Sequence, residues 1–246
     1  MMEKVRVVEP EEINRRLTDS VRTHLSGRQP LSILDAGCGR MWTWDLEDIQ
    51  YVLTGLDADE NALKLRVEVV GDLDRAIVGD ITTTDLPSEV YDIVHSAYVL
   101  EHVQGVRQAL DRMWETLRPG GLLVLKSPDP NSVYAFLARH TPHWVHVQYK
   151  RRIRGKRLAG TPGHGPYPVI YEEILALPAL LEWASERNLE LVELLGENSH
   201  LNFFGRLAST VDHSLHFVST LSRGRLTADY SNVALVLVKA GEPSAS

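Results

Sequence analysis

Leu31-Ser32-Ile33-Leu34-Asp35-Ala36-Gly37-Cys38-Gly39-Arg40 decides how the rest of the chain is read. A short apolar run that ends in an acid, then alternates small residues with glycine, is the pattern of a buried strand breaking into a tight turn that opens a helix. Open α/β sheets bind ligands outside the carboxyl ends of their strands, where such a turn lies. Gly37 and Gly39 carry no Cβ to hold a ligand off the backbone, so the turn is a candidate cradle for a nucleotide-like cofactor. A buried strand can also end in a glycine turn for packing alone, and spacing to later motifs separates the two readings.

Downstream, Tyr51 to Asp57 reads as a second strand ending in an acid, 22 positions past Asp35. That is close to the ~20-residue interval at which an acid on the second strand reaches a bound ribose. A carboxylate there accepts from both hydroxyls of the diol, but Asp57 is equally placed to cap a helix over Asp59 to Val67. Arg75 to Ile81 reads as a third strand, with Asp80 at its end. Asp80 can accept from the exocyclic amine of a base with Ile81 against the ring, or simply start the turn into Thr82-Thr83-Thr84. Tyr91 to Ser96 is a fourth strand and Leu122 to Leu125 a fifth, joined by a helix whose stripe is Val106, Leu110, Met113 and Leu117. Upstream, Ile13, Leu17, Val21 and Leu25 form one apolar stripe on a helix from Pro10 to Gly27, and Met41 to Ile49 reads as a weakly patterned helix. Strands alternating with helical patterns predict an α/β, doubly wound, mostly parallel sheet.

Bulk properties set the frame. The chain has 246 residues, 43% hydrophobic and 24% charged, ordinary for a soluble globular protein, with a formal net charge of -7 that argues against a general nucleic-acid binder. Cys38 is the only cysteine, which leaves no intrachain disulfide. Without an apolar run near the ~20 residues of a membrane span, and with a charged N-terminus, the expectation is a cytoplasmic protein with no span or signal peptide, peripheral membrane association being left open. Glu242 to Ser246 reads as a frayed tail.

Together, Ile33 to Gly39, Thr54-Gly55-Leu56-Asp57, Val78-Gly79-Asp80, Tyr91 to Ser96, Val99-Leu100-Glu101-His102-Val103 and Leu117-Arg118-Pro119-Gly120-Gly121 resemble the class I S-adenosylmethionine-dependent methyltransferases, small-molecule type, over residues 31 to 128. The resemblance implies a Rossmann-like sheet of seven strands, the last antiparallel, which Leu189 to Leu195 and Val233 to Val238 can complete after a helix from Leu175 to Arg187. It implies S-adenosylmethionine as cofactor, with Asp35, Gly37 and Gly39 at its methionine end, Asp57 and Ala58 at the ribose, Asp80 and Ile81 at the adenine, and Ser96 beside the sulfonium. Where the family has a third glycine this chain has Met41, which either redirects the chain after the turn or crowds the methionine carboxylate. The same position breaks the dinucleotide fingerprint, which sets a nicotinamide dehydrogenase behind a methyltransferase, with a non-catalytic module of the same fold as a further alternative.

One domain over residues 1–246 is expected, with a helical cover at 1–30, a cofactor-binding core at 31–128 and insertions at 129–171 and 198–231. The first insertion holds seven Lys and Arg between Arg139 and Arg157, which reads either as the approach to an anionic small-molecule acceptor or as a solvated basic face. His143 and His146 are one turn apart, but with no third ligand a metal is not expected. His143 and His102 are instead candidate general bases for an acceptor hydroxyl or amine. In the second insertion Phe203 to Leu221 reads as an amphipathic lid or a self-association face, and the oligomeric state stays open.

Overall fold

In the computed structural model the described residues are 4–46, 48–152, 155, 157, 169–170, 172–198 and 201–241, without the side chains of residues 143, 146, 149, 150 and 202–204. Eight strands form one sheet: β1 (Arg6–Val7), β2 (Leu31–Ala36), β3 (Tyr51–Asp57), β4 (Arg75–Val78), β5 (Tyr91–Ala97), β6 (Leu117–Pro128), β7 (Leu189–Glu197) and β8 (Asn232–Lys239), in the order β1-β7-β8-β6-β5-β2-β3-β4. Strands β2 to β6 run parallel, and β8 lies antiparallel between β6 and β7. The eighth strand is the correction to the expected seven: β1 is a two-residue parallel addition to the outer edge of β7, too short to leave a periodicity in the sequence.

The apolar strand runs are buried on both faces, as parallel sheets require. Helix α1 (Pro10–His24) lays Ile13, Leu17 and Val21 on one face, against Ile33, Ile93, Leu122 and Val124. On the other face Leu110 and Met113 of α3 (Val106–Thr116) and Leu180 and Trp183 of α6 (Leu177–Glu186) pack against Leu34, Val94, Leu123 and Leu235. Cutting Leu110 back to alanine in such a packed site costs about 2–5 kcal/mol.

Met41 to Leu46 is irregular, not helical. Trp44 is drawn into the core beside α1, where its Nε1–H donates to Thr18 Oγ1 (3.1 Å), and the Trp42 amide donates to Asp72 Oδ2 (3.3 Å); these tertiary contacts override a weak helical pattern. The third strand stops at Val78, whose pairing with Asp57 ends in the bond from the Gly79 amide to the Asp57 carbonyl (3.0 Å), and the chain then turns at Asp80, whose carbonyl accepts from the Thr83 and Thr84 amides (3.1 and 2.8 Å). Beyond the core lie α4 (Val133–Arg139), α5 (His143–Arg152) and α7 (Ala208–Leu221). Helix α7 buries Leu215 against Val133 of α4 and leaves Phe217 and Leu221 exposed.

Candidate active site

The chain winds outward from β2 through β3 to β4, then returns to build β5 and β6 on the other side. The switch point between β2 and β5 is where such sheets open a ligand crevice, and Asp35 and His95 face each other across it in register. A cavity of about 1090 Å³ opens there. It lies at the upper end of the ~300–1,000 Å³ usual for small-molecule sites.

The turn after β2 is locked to its neighbours. The amides of Gly37 and Cys38 both donate to the Leu56 carbonyl (2.8 and 3.1 Å), and Gly37 sits at φ 76°, where an added Cβ would come within 2.4 Å of the Val99 side chain. Gly39 is also left-handed, at φ 54°, with open space above it. Its amide donates to Asp57 Oδ2 (2.7 Å), and the Asp59 amide donates to Asp57 Oδ1 (2.8 Å). Helix α2 (Glu60–Leu65) is capped by Asp59, which accepts from the Asn61 amide (3.0 Å), so the capping role open to Asp57 falls to its neighbour. Each Asp57 oxygen keeps a lone pair beyond these bonds. Asp80 accepts through one oxygen from the hydroxyl and amide of Thr82 (2.6 and 2.7 Å), which holds its carboxyl below the usual range.

Asp35 is differently employed. One oxygen takes Arg66 Nη1 (2.9 Å) and the other takes His95 Nδ1–H (3.0 Å), while Arg66 Nη1 also reaches the Cys38 carbonyl (2.9 Å). Arg66 is fully buried and its other nitrogens pair with Asp72 (3.0 and 3.1 Å). Burial alone would pull its guanidinium down, but the hydrogen bonds to Asp72 and Asp35 outweigh that and hold it above its ordinary value. Asp35 therefore braces the turn from below. Burial and the Asp35 charge push the Cys38 thiol up to about 12, which makes it a poor nucleophile at neutral pH.

Gly37, Gly39, Asp57, Ala58, Asp80 and Ile81 all line the cavity. Ser96 does not: it is buried and its hydroxyl donates to the Ala36 carbonyl (3.0 Å), because alternation along β5 turns His95 and Ala97 to the cavity in its place. Met41 is at the rim, 65% exposed, and does not fill the cradle. At the far end the wall is made by Thr43, Ala97, Tyr98, His102, Lys126 and Ile170. His102 lies there, 3.9 Å from Glu101, whose own Oε2 is buried without a hydrogen-bond partner among the described residues and whose carboxyl burial pushes up to about 7. His143 begins α5, but its side chain lies outside the described residues, as do those of His146 and Phe203. Among the described residues no cluster of His, Cys, Asp and Glu could hold a metal ion, and no helix is long and apolar enough to cross a membrane.

Arg66, His95, Tyr98 and Lys126 escape sequence reasoning, since their positions follow from strand pairing and not from motif spacing. The acids and bare turn at one end suit a ligand that offers an ammonium, a diol and an amine, and the irregular chain after the turn provides no helix N-terminus for a pyrophosphate. These residues fit S-adenosylmethionine.

Fold and cleft together define an α/β enzyme that binds a nucleoside-type cofactor at its switch point. Residues 11–204 match the methyltransferase domain family, and the chain belongs to it. An uncharacterized methyltransferase of Mycobacterium bovis is 30% identical over 161 residues, 64% of this chain and 81% of that protein. The malonyl-[acyl-carrier protein] O-methyltransferase of Enterobacter lignolyticus is 30% identical over 118 residues, 46% of this chain and 45% of its own. The N-methyltransferase NodS of Bradyrhizobium japonicum, solved with S-adenosyl-L-homocysteine, shares the fold at a TM-score of 0.53 and 18% identity, over 94% of this chain and 88% of that one. The protein is an S-adenosylmethionine-dependent methyltransferase that acts on a small-molecule acceptor.

Proposed function

We propose that this enzyme methylates a small anionic acceptor in the cytoplasm, as one methyltransferase domain whose insertions at 129–171 and 198–231 shape the acceptor side. The cofactor, when bound, supplies a methyl group already activated on a sulfonium. The observation that carries the reading is the polarity of the cavity. Asp57, Asp59 and Asp80 line one end, with Arg40 3.9 Å from Asp59, whereas Lys126 and His102 line the wall away from them.

In this reading Asp57 and Ala58 hold the ribose, Asp80 and Ile81 the adenine, and the bare backbone at Gly37 and Gly39 admits the methionine part, with Asp35 as the brace beneath it. The enzyme's remaining tasks are to hold the acceptor in line and exclude water. His102, on the wall of the acceptor end, is placed to hold a proton released by a hydroxyl or amine.

Support for an anionic acceptor comes from the first insertion. Between Asp129 and Glu172 the chain has seven Lys and Arg, four His and no Asp or Glu, and Ile170 of that stretch reaches the cavity wall. A relative named for a malonyl acceptor, which bears a carboxylate, is in keeping with this.

Thermal or chemical denaturation with S-adenosyl-L-homocysteine tests the reading. At 100 times its dissociation constant the ligand adds about 2.7 kcal/mol of stability, and NADH adds none. Stabilisation by NADH alone returns the dehydrogenase. Cofactor binding with no S-adenosyl-L-homocysteine formed across a broad panel of acids, amines and alcohols favours the non-catalytic module.

A further inference from the structure

Lys126 stands out because the one carboxylate that acts on it, Glu197, lies beyond ion-pair distance. Leu122 and Val124 of β6 face α1 in the core, and two residues further on the same alternation sends Lys126 to that side, at the top of the sheet. Its Nζ donates to Asn14 Oδ1 (2.6 Å), a neutral acceptor, and it has no ion-pair partner among the described residues. An ammonium has three protons to place. The Glu197 carboxylate acts on it from further off, and that carboxylate is itself engaged through Oε1 by the Tyr98 hydroxyl (2.8 Å) and Asn232 Nδ2 (2.8 Å). Burial draws the Lys126 ammonium down to about 8, against which Glu197 pulls only weakly. A desolvated cation held so loosely is retained where something else supplies the countercharge.

Lys126 lines both the large cavity and a small one of about 90 Å³ that it shares with Asn14, Tyr98 and Glu197. Tyr98 lies next to it, its amide donating to the Lys126 carbonyl (2.8 Å). The backbone of Tyr98 is left-handed, at φ 59°, uncommon for a residue with a side chain and a conformation that gathers at functional sites. The residue is 43% exposed while its hydroxyl end is tied to Glu197, so the ring offers a flat wall to whatever the ammonium holds.

We propose that Lys126 is the counter-ion for an oxyanion, carboxylate or phosphate, on the methyl acceptor, with Tyr98 flanking the acceptor's body. This rests on the reading of the neighbouring acidic end as the cofactor site, and the experiment separates the two.

With S-adenosyl-L-homocysteine saturating, calorimetric titrations of hexanoate, hexanamide and hexyl phosphate are run on the parent protein, Lys126→Met and Lys126→Arg. At least one of the two anions should bind saturably and at least tenfold more tightly than the neutral amide, and the stronger of them identifies the oxyanion. Lys126→Met should erase that preference, Lys126→Arg should keep most of it, and both should bind the homocysteine ligand as the parent does. Lys126→Met and Lys126→Arg should keep the parent's circular-dichroism spectrum, so that lost anion binding in a variant that still holds S-adenosyl-L-homocysteine is not misfolding. The proposal is overturned if neither anion binds while the homocysteine ligand does, if amide and acid bind alike, or if Lys126→Met keeps the preference. Failure of the homocysteine ligand to bind the parent would instead bring down the cofactor reading on which the proposal stands.

Discussion

The two ends of the cavity are built on opposite plans. At the cofactor end the protein satisfies its own charges: Asp57 receives two backbone amides, Asp80 receives Thr82, and Asp35 is shared between Arg66 and His95. At the end read as the acceptor's, Lys126 has a neutral partner in Asn14 and no carboxylate within ion-pair distance among the described residues. A prepaid, rigid site suits a ligand that never changes, whereas an unfinished one is completed by the molecule that enters it. The difference is open to attack from both sides.

The largest effect is expected at the brace. Arg66→Met leaves the buried Asp35 carboxylate and the partly buried Asp72 carboxylate without their shared cation, and breaking a buried pair in this way costs about 3–5 kcal/mol. Chemical denaturation measures it. A loss under 1 kcal/mol would mean that the turn is held without Arg66 and that the cofactor end is less prebuilt than its hydrogen bonds indicate.

Next comes Asp57→Ala, which removes the ribose acceptor and the bonds to Gly39 and Asp59. With hydrogen bonds to a charged group worth about 1.5–3 kcal/mol each, loss of the two to the diol weakens S-adenosyl-L-homocysteine by at least about 100-fold. Asp57→Asn, which keeps the shape and one acceptor oxygen, should fall between. Equal affinity for all three proteins in calorimetry would remove Asp57 from the site.

Glu101 gives the smallest and the most pH-dependent effect. Its folded-state value of about 7 stands above the ordinary 4.5, so between those pH values the folded protein binds more protons than the unfolded chain, and stability declines as pH rises through that window. The decline from this one group has an upper bound of about 3 kcal/mol. Glu101→Gln should flatten the melting-temperature profile between about pH 4.5 and 7. An unchanged slope would show that the carboxyl finds a partner in solution.

How far each end could be read from the sequence follows from the same contrast. Asp57 and Asp80 are legible because strand ends recur at a regular spacing and their acids act locally, through amides one or two residues away. Lys126 and His95 are not, because their meaning depends on which strands are neighbours and on the parity of each strand. Misjudging that parity is what put Ser96 in the cleft, one position from His95, the residue that is there. Asp35 was placed rightly at the turn, but nothing in its own stretch betrays that Arg66, 31 residues on, occupies its carboxylate. The segment after the turn differs in another way: Met41 to Ile49 reads as a weakly patterned helix, yet its Trp42 and Trp44 are drawn into an aromatic cluster with His95 at 5.1 and 5.4 Å between ring centres.

A crystal structure with S-adenosyl-L-homocysteine soaked into the cleft tests the central claim most directly. The ribose hydroxyls should lie within hydrogen-bonding distance of Asp57 and the adenine amine of Asp80, with the methionine part over Gly37 and Gly39 and the sulfur pointing toward Tyr98 and Lys126. Density for the ligand at the basic end, or anywhere that leaves Asp57 without contact to it, would contradict the account.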